Sequence, residues 1–225
     1  MKIKATYIFP LALLITNCFA QNSSRFHHFW LVQVWPPGYC LEVNCARLEE
    51  KFIIHGLWPV NSTEQTLPGT QNTDRTILSS LKANKPLEDD LMEYWLSLST
   101  RDDDKLKKFW IYQWRQHGSA AQKFIRPLVY FRRAVDLTKY TDLLNTLNRA
   151  GILANGSSYK GDQYKKAIKV KTGHDPVLSC VLVDNRSHLK EVTICVDAQA
   201  ENFIACGPQK RDTCRMRIKF PEPRD

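Results

Sequence analysis

Six cysteines follow the first twenty residues, at 40, 45, 180, 195, 206 and 214, and they restrict the fold more than any other feature of the chain. One close pair lies early, and four sit together near the C-terminus. In an oxidising compartment this even number implies three disulfides. Zinc is the rival use of cysteine, but no C-x-x-C pair is present and the histidines are not spaced as finger ligands. No metal or other cofactor is expected. The seventh cysteine, Cys18, belongs to the opening segment MKIKATYIFPLALLITNCFA, where Lys2 and Lys4 precede an apolar run that ends in Ala20. That is the layout of a cleaved secretory signal over residues 1–20. The run is short, is interrupted by Pro10 and is followed by QNSSR, and no later stretch reaches about eighteen apolar residues. An exported, extracellular protein with no membrane span is the expectation.

Removing the signal leaves residues 21–225, enough for one domain with a substantial core. Loss of Lys2 and Lys4 lowers the net charge from +9 to +7, which favours anionic partners such as nucleic acid. Four N-x-S/T sequons, at Asn22, Asn61, Asn155 and Asn185, fit a glycosylated secreted chain.

FHHFWLVQVWPP predicts a buried strand, and KFIIHGLWP a second one, ended by Gly56 and Pro59, with His55 near its end. Residues 61–74 read as a loop containing Pro68 and Gly69. Apolar spacing from Thr76 to Trp95 predicts a helix or helix pair, followed by the helix KLKKFWIYQWRQHG. LTKYTDLLNTLNRAG predicts one helix stopped by Gly151, with Leu143, Leu144 and Leu147 at helical spacing. YKKAIKVKTGHDP is a basic amphipathic segment, and LSCVLV and EVTICVDA read as strands. The whole predicts a single α+β domain, an antiparallel sheet packed with several helices and linked by disulfides.

Two blocks carry chemistry: FIIHGLWP at 52–59 and FWIYQWRQHG at 109–118. The pentapeptide HGLWP arises by chance in a chain this long about once in ten thousand. With VQVWPPGYC, LLNTLNRAGI, DPVLSC and the closing cysteines, these blocks resemble the T2 family of secreted ribonucleases over nearly the whole mature chain. Within that family the chain looks most similar to the basic S-RNases of plant self-incompatibility. The resemblance implies a monomeric endoribonuclease that needs no metal. The ribose 2′-hydroxyl attacks the adjacent phosphorus, giving a 2′,3′-cyclic phosphate and a free 5′-hydroxyl. Imidazole titrates near neutrality, so one histidine can take a proton while another gives one. By motif position His117 is the base and His55 the acid, with Gln113 as a third catalytic group.

The resemblance also implies substrate contacts at Val34, Ser97, Leu98, Phe109, Tyr112 and Gln116, with Phe109 stacking on a base. Independently of the family, Phe109, Tyr112, Gln113, Gln116 and His117 fall on one helical face at three- and four-residue steps. Departures are concentrated there. The family places a histidine, a glutamate and a lysine where this chain has Tyr112, Gln113 and Gln116, although glutamine also occurs among relatives at the Gln113 position. Gln116 removes a cation beside the dianionic phosphorane, a loss that typically costs on the order of a hundredfold to a thousandfold in turnover. Arg115 points about a hundred degrees round the helix from it. The family pattern pairs Cys40 with Cys45, Cys180 with Cys214, and Cys195 with Cys206. A further family bridge is missing at both ends, since Ser119 and Ala120 follow Gly118 and residues 60–79 contain no cysteine.

RNA is the implied partner, joined by a pollen F-box protein if the chain is an S-RNase. Two alternatives share these motifs: a catalytically weakened homologue that binds RNA or a protein partner, and a defence or phosphate-scavenging ribonuclease.

Overall fold

The computed structural model describes residues 25–70 and 76–223. The expected signal segment and Asn22 lie outside them. Strand β1 (His28–Val34) is buried along its whole length, with the polar His28 and Gln33 buried along with its apolar residues. It lies at the centre of the sheet between β2 (Ile53–Val60) and β5 (Arg186–Val196), antiparallel to both. β2 is an edge strand, which is why Pro59, with no N–H to donate, is tolerated inside it. Gly56 and Pro59 therefore do not end the strand, which continues to Val60. A Cβ on Gly56 would stand 2.0 Å from the Trp58 indole nitrogen, so the indole can fold back over the strand only above a glycine.

The helical layer covers one face of the sheet. A four-residue turn of helix, α1 (Pro36–Tyr39), follows β1. α2 (Ile77–Ala83) and α3 (Lys85–Tyr94) form the expected pair, with Asn84 capping the second through Leu87 N–H. α4 (Asp103–Gln116) starts at Asp102, whose carboxylate accepts from Lys105 N–H at 2.9 Å, and Asp103 and Asp104 complement its positive end. It buries Leu106, Trp110, Gln113 and Trp114. A 3₁₀ turn over Gly118–Ala121 leads to α5 (Pro127–Thr141), which begins with proline at its first turn. Phe29, Leu31, Ile54 and Leu57 of the sheet join Trp95, Trp110, Trp114, Tyr130 and Phe131 of these helices in the largest core.

The single helix predicted over 137–151 is two. Asp142 adopts φ +37°, ending α5, and α6 (Leu143–Arg149) starts immediately after it. The first part of α5 was not among the predicted elements, although Pro127 and the spacing of Tyr130, Phe131, Ala134 and Val135 encode it. The remaining elements are β3 (Ser158–Lys160), α7 (Gly161–Thr172), β4 (Val177–Val183), β6 (Phe203–Ile204) and β7 (Arg217–Lys219). β4 and β5 form a hairpin whose turn residues, Asp184 and Asn185, both have positive φ, as tight hairpins demand. The sheet is antiparallel except where β7 runs parallel to β5, so it is mixed.

Cys40–Cys45, Cys180–Cys214 and Cys195–Cys206 are bonded. Where the further family bridge would lie, polar bonds join the same two segments. Ser119 Oγ accepts from Thr70 N–H at 2.9 Å, and the Gln116 carbonyl accepts from Gly69 N–H at 2.8 Å. Among the sequons, Asn155 and Asn185 are exposed. Asn61 is 2 % exposed, its amide donating to Gln65 and its carbonyl accepting from Thr63 and Gln65. The Asn61 amide nitrogen to which a glycan would attach is thus held within the turn.

Candidate active site

Pairing between β1 and β2 runs Val32 with Gly56 and then Gln33 with Ile54, so His55 is the extra residue of a β-bulge. A bulge re-aims the side chain it carries. Here it turns His55 onto the face shared by Val32, Val34 and, across β1, Glu191 of β5, which pairs with Val34. His55 Nδ1–H donates to Glu191 Oε1 at 2.6 Å. The bond fixes the tautomer and leaves Nε2 for exchange with a substrate. Burial alone would raise the Glu191 carboxyl, but the His55 bond and the charges of His55, Lys190 and Lys210 hold it below its ordinary value.

His117 caps α4, its N–H bonded to the Gln113 carbonyl at 3.0 Å. The Trp58 indole stands between the two imidazoles, 5.0 Å from the His55 ring and 5.4 Å from the His117 ring, centroid to centroid. Tyr39 meets the other side of His55 edge-on at 5.8 Å. Burial pushes the His117 pKa down, and the nearby charge of His55 pushes it further in the same direction. A neutral imidazole therefore faces one held against a carboxylate. This asymmetry suits a base on one side and an acid on the other.

Beside His55 opens a cleft of about 290 Å³. Val34, Ser97, Leu98 and Phe109 all line it, together with Tyr39, Ile53 and Ser99. Four of the six residues expected to touch substrate thus share one concavity with His55. Its walls are largely apolar, which suits the flat face of a base. Gln33 turns to the opposite face, donating to Thr141 at 2.9 Å.

Tyr112 and Gln116 do not line the cleft. Tyr112 is half exposed, and the Arg115 guanidinium stands over its ring at 5.9 Å, drawn toward the i−3 position of its own helix. Gln113 is buried, and its Oε1 has no protein partner. One turn before His117 on α4, its backbone carbonyl accepts the His117 N–H at 3.0 Å. Glu191, Trp58, Tyr39 and Lys210 were not among the expected site residues. Trp58 was readable, lying inside the HGLWP block. Nothing local marks Glu191 or Lys210, since each reaches this face by folding.

On the same face His28, Glu64 and Cys195 come together, but the Cys195 sulfur is bonded to Cys206 and offers no thiolate to a metal. Glu64 instead accepts from Trp30 Nε1 at 2.6 Å and from Gly207 N–H, fixing the loop after β2 to the sheet.

Residues 26–206 match the family described as Ribonuclease T2 family. The chain is 33% identical to "Intracellular ribonuclease LX" of Solanum lycopersicum, over 94% of this chain and 92% of that protein. It is 31% identical to "Ribonuclease S-7" of Nicotiana alata, over 87% and 89% respectively. Among solved structures it is similar to RNase NT in complex with 5′-AMP, with a TM-score of 0.71 and 31% identity over 87% of this chain and 98% of that one.

Proposed function

Because the chain belongs to the ribonuclease T2 family, we propose that it is an active endoribonuclease, cleaving single-stranded RNA by transphosphorylation. The observation that carries this reading is the pair of imidazoles flanking Trp58, one neutral by burial and the other bonded to Glu191. His117 takes the 2′-hydroxyl proton as the 2′-oxygen attacks phosphorus. The bond from phosphorus to the 5′-oxygen breaks, and His55 Nε2 gives that oxygen its proton. The products are a 2′,3′-cyclic phosphate and a 5′-hydroxyl. The cleft lined by Phe109, Val34, Ser97 and Leu98 takes a base, a role supported by the nucleotide bound to the similar RNase NT.

The N-terminal segment and the three disulfides support export from the cell. The S-RNase role, in which the enzyme acts as the pistil determinant of self-incompatibility, is the finer reading, supported by the basic charge and by the similarity to Ribonuclease S-7.

The test is RNA degradation by the purified protein with and without EDTA, with chromatography of the products. Cyclic phosphate ends are expected, with activity unaffected by EDTA and reduced by several orders of magnitude in His55→Ala and His117→Ala. Full activity in His117→Ala would remove the base from this scheme. The burial of Gln113 and the amide at Gln116 favour one alternative, a weakened homologue that binds RNA. That protein would retain RNA affinity while cleaving no faster than its double-histidine variant.

A further inference from the structure

Some of the cations among the described residues have a carboxylate beside them, such as Lys85 and Lys107 at Glu88, Arg132 and Lys139 at Asp90, Lys165 at Asp212, and Lys190 at Glu42. Lys210 does not. Its ammonium is in no ion pair among the described residues and stands 3.7 Å from the centroid of the Trp30 ring. Trp30 lies on the face that carries the site, opposite Trp58 of β2 and Cys195 of β5. The bond from its indole N–H to Glu64 holds it from the far edge.

The two carboxylates whose fields reach Lys210 are already engaged, Glu191 by His55 and Glu64 by Trp30 and Gly207. Burial draws the ammonium toward its neutral form, with Glu191 and Glu64 opposing. A half-buried ammonium with no contact partner has lost hydration without replacing it, apart from the π-face beneath it. An anion arriving above Trp30 would supply the missing partner. The substrate carries a suitable one, since a phosphate in reach of His55 and His117 lies over this same face.

We infer that Lys210 binds the phosphate undergoing cleavage, supplying from the loop after β6 the cation that Gln116 of α4 does not. The inference rests on the ribonuclease reading above. A lysine is a compact point charge that requires no planar fork geometry, so it can approach the phosphoryl oxygens from a different side of the site and still oppose the same charge. That charge grows as the pentacoordinate state forms. Lys210 therefore acts more on the transition state than on ground-state binding.

The experiment compares the wild type with Lys210→Met, which keeps an apolar stem on Trp30, and Lys210→Arg, which keeps the charge. Inorganic phosphate is titrated into each while the ring protons of His55 and His117 are followed by NMR, and thermal midpoints are recorded. Wild type and Lys210→Arg are expected to bind phosphate alike, with Lys210→Met at least about tenfold weaker at an unchanged midpoint. On single-stranded RNA, kcat should fall about tenfold or more in Lys210→Met with KM nearly unchanged. Phosphate affinity equal in wild type and Lys210→Met, or no phosphate binding by the wild type, overturns the inference. Should Lys210→Met unfold, Lys210→Gln takes its place, and loss of phosphate binding in Lys210→Arg as well would mark a structural role only. Phosphate binding is read without catalysis. RNA cleavage with Lys210→Met unimpaired leaves the enzyme standing and removes Lys210, whereas Lys210-dependent phosphate binding without cleavage does the reverse.

Discussion

Glu191 accepts a 2.6 Å hydrogen bond from His55 across the full width of strand β1, 136 residues away in the chain. Three local features make it possible. The bulge turns His55 out of the β2 pleat, Val32 and Val34 are small enough to pass beneath both side chains, and β5 places Glu191 opposite Val34. Glu191 is a positioning residue: it acts through His55.

Glu191→Gln should keep the shape and remove the charge. We expect kcat to fall about tenfold or more with little change in KM, because the imidazole loses the partner that stabilises its charged form. Glu191→Asp, which returns the carboxylate on a shorter stem, should recover part of that loss. No recovery in Glu191→Asp, with the thermal midpoint lowered in both variants, would mean that Glu191 only supports the fold.

Stability should fall as the solution is acidified below about pH 6.5. Burial is the first cause holding three histidines below their ordinary value: His28, with His27 adding to it, His117, with His55 adding, and His188, with Lys219 adding. The unfolded chain takes up these protons from about pH 6.5 downward, and the folded protein only at lower pH, so protons favour unfolding across that interval. Glu88, Asp90, Glu191 and Asp197 all lie below their ordinary values when folded. Their stabilisation is complete above the unfolded carboxylate range, and it is lost as the pH falls through their folded values. Urea midpoints between pH 8 and 5 test the first interval. A midpoint that rises on acidification to pH 5.5 would contradict the assignment of buried neutral histidines.

How much of this was legible in the sequence depends on the range of each interaction. β1, β2 and α4 could be read because alternation, helical spacing and capping are local, and the HGLWP block marked His55, though Trp58 in the same block went unremarked. The break at Asp142 was hidden because Leu137 to Leu147 keeps helical spacing through it, while one aspartate adopts a left-handed conformation that its neighbours do not announce. Gly56 looked like a strand end, yet it is the position over which Trp58 folds. The contacts of Glu191 and Lys210 require the sheet order, which no single segment contains. Burial of Asn61 and Gln113 follows from the packing of loops and helices, and their polarity pointed the other way.

Ser119 provides a test of how the chain tolerates its missing cross-link. Its hydroxyl accepts from Thr70 N–H and donates to the Arg115 carbonyl at 3.1 Å, with the residue fully buried. Ser119→Ala removes both bonds and leaves the Thr70 donor unanswered, at a cost of about 1–2 kcal/mol. For a domain of this size the thermal midpoint should fall by roughly 2–8 °C. The covalent bridge absent here would be worth roughly 4 kcal/mol on chain-entropy grounds, so the polar clasp recovers only part of it. No measurable loss in Ser119→Ala would show that the loop is held elsewhere, through Gly69 and the Gln116 carbonyl.

Gln116 and Arg115 separate two accounts of where positive charge comes from. The Arg115 guanidinium is drawn over Tyr112, away from the cleft, and should contribute little to turnover. Gln116→Lys should raise kcat by about tenfold with KM nearly constant, because a cation added beside the phosphoryl oxygens is felt mainly as their charge grows. If Lys210 already supplies part of that charge, the gain should be larger in a Lys210→Met background than in the wild type, since the two cations oppose the same charge and their effects do not add. Arg115→Ala is the control, expected to leave kcat within about threefold of the wild type. A kcat indifferent to Gln116→Lys in both backgrounds, alongside a collapse in Arg115→Ala, would place the working cation on Arg115 and require its guanidinium to leave Tyr112 when substrate binds.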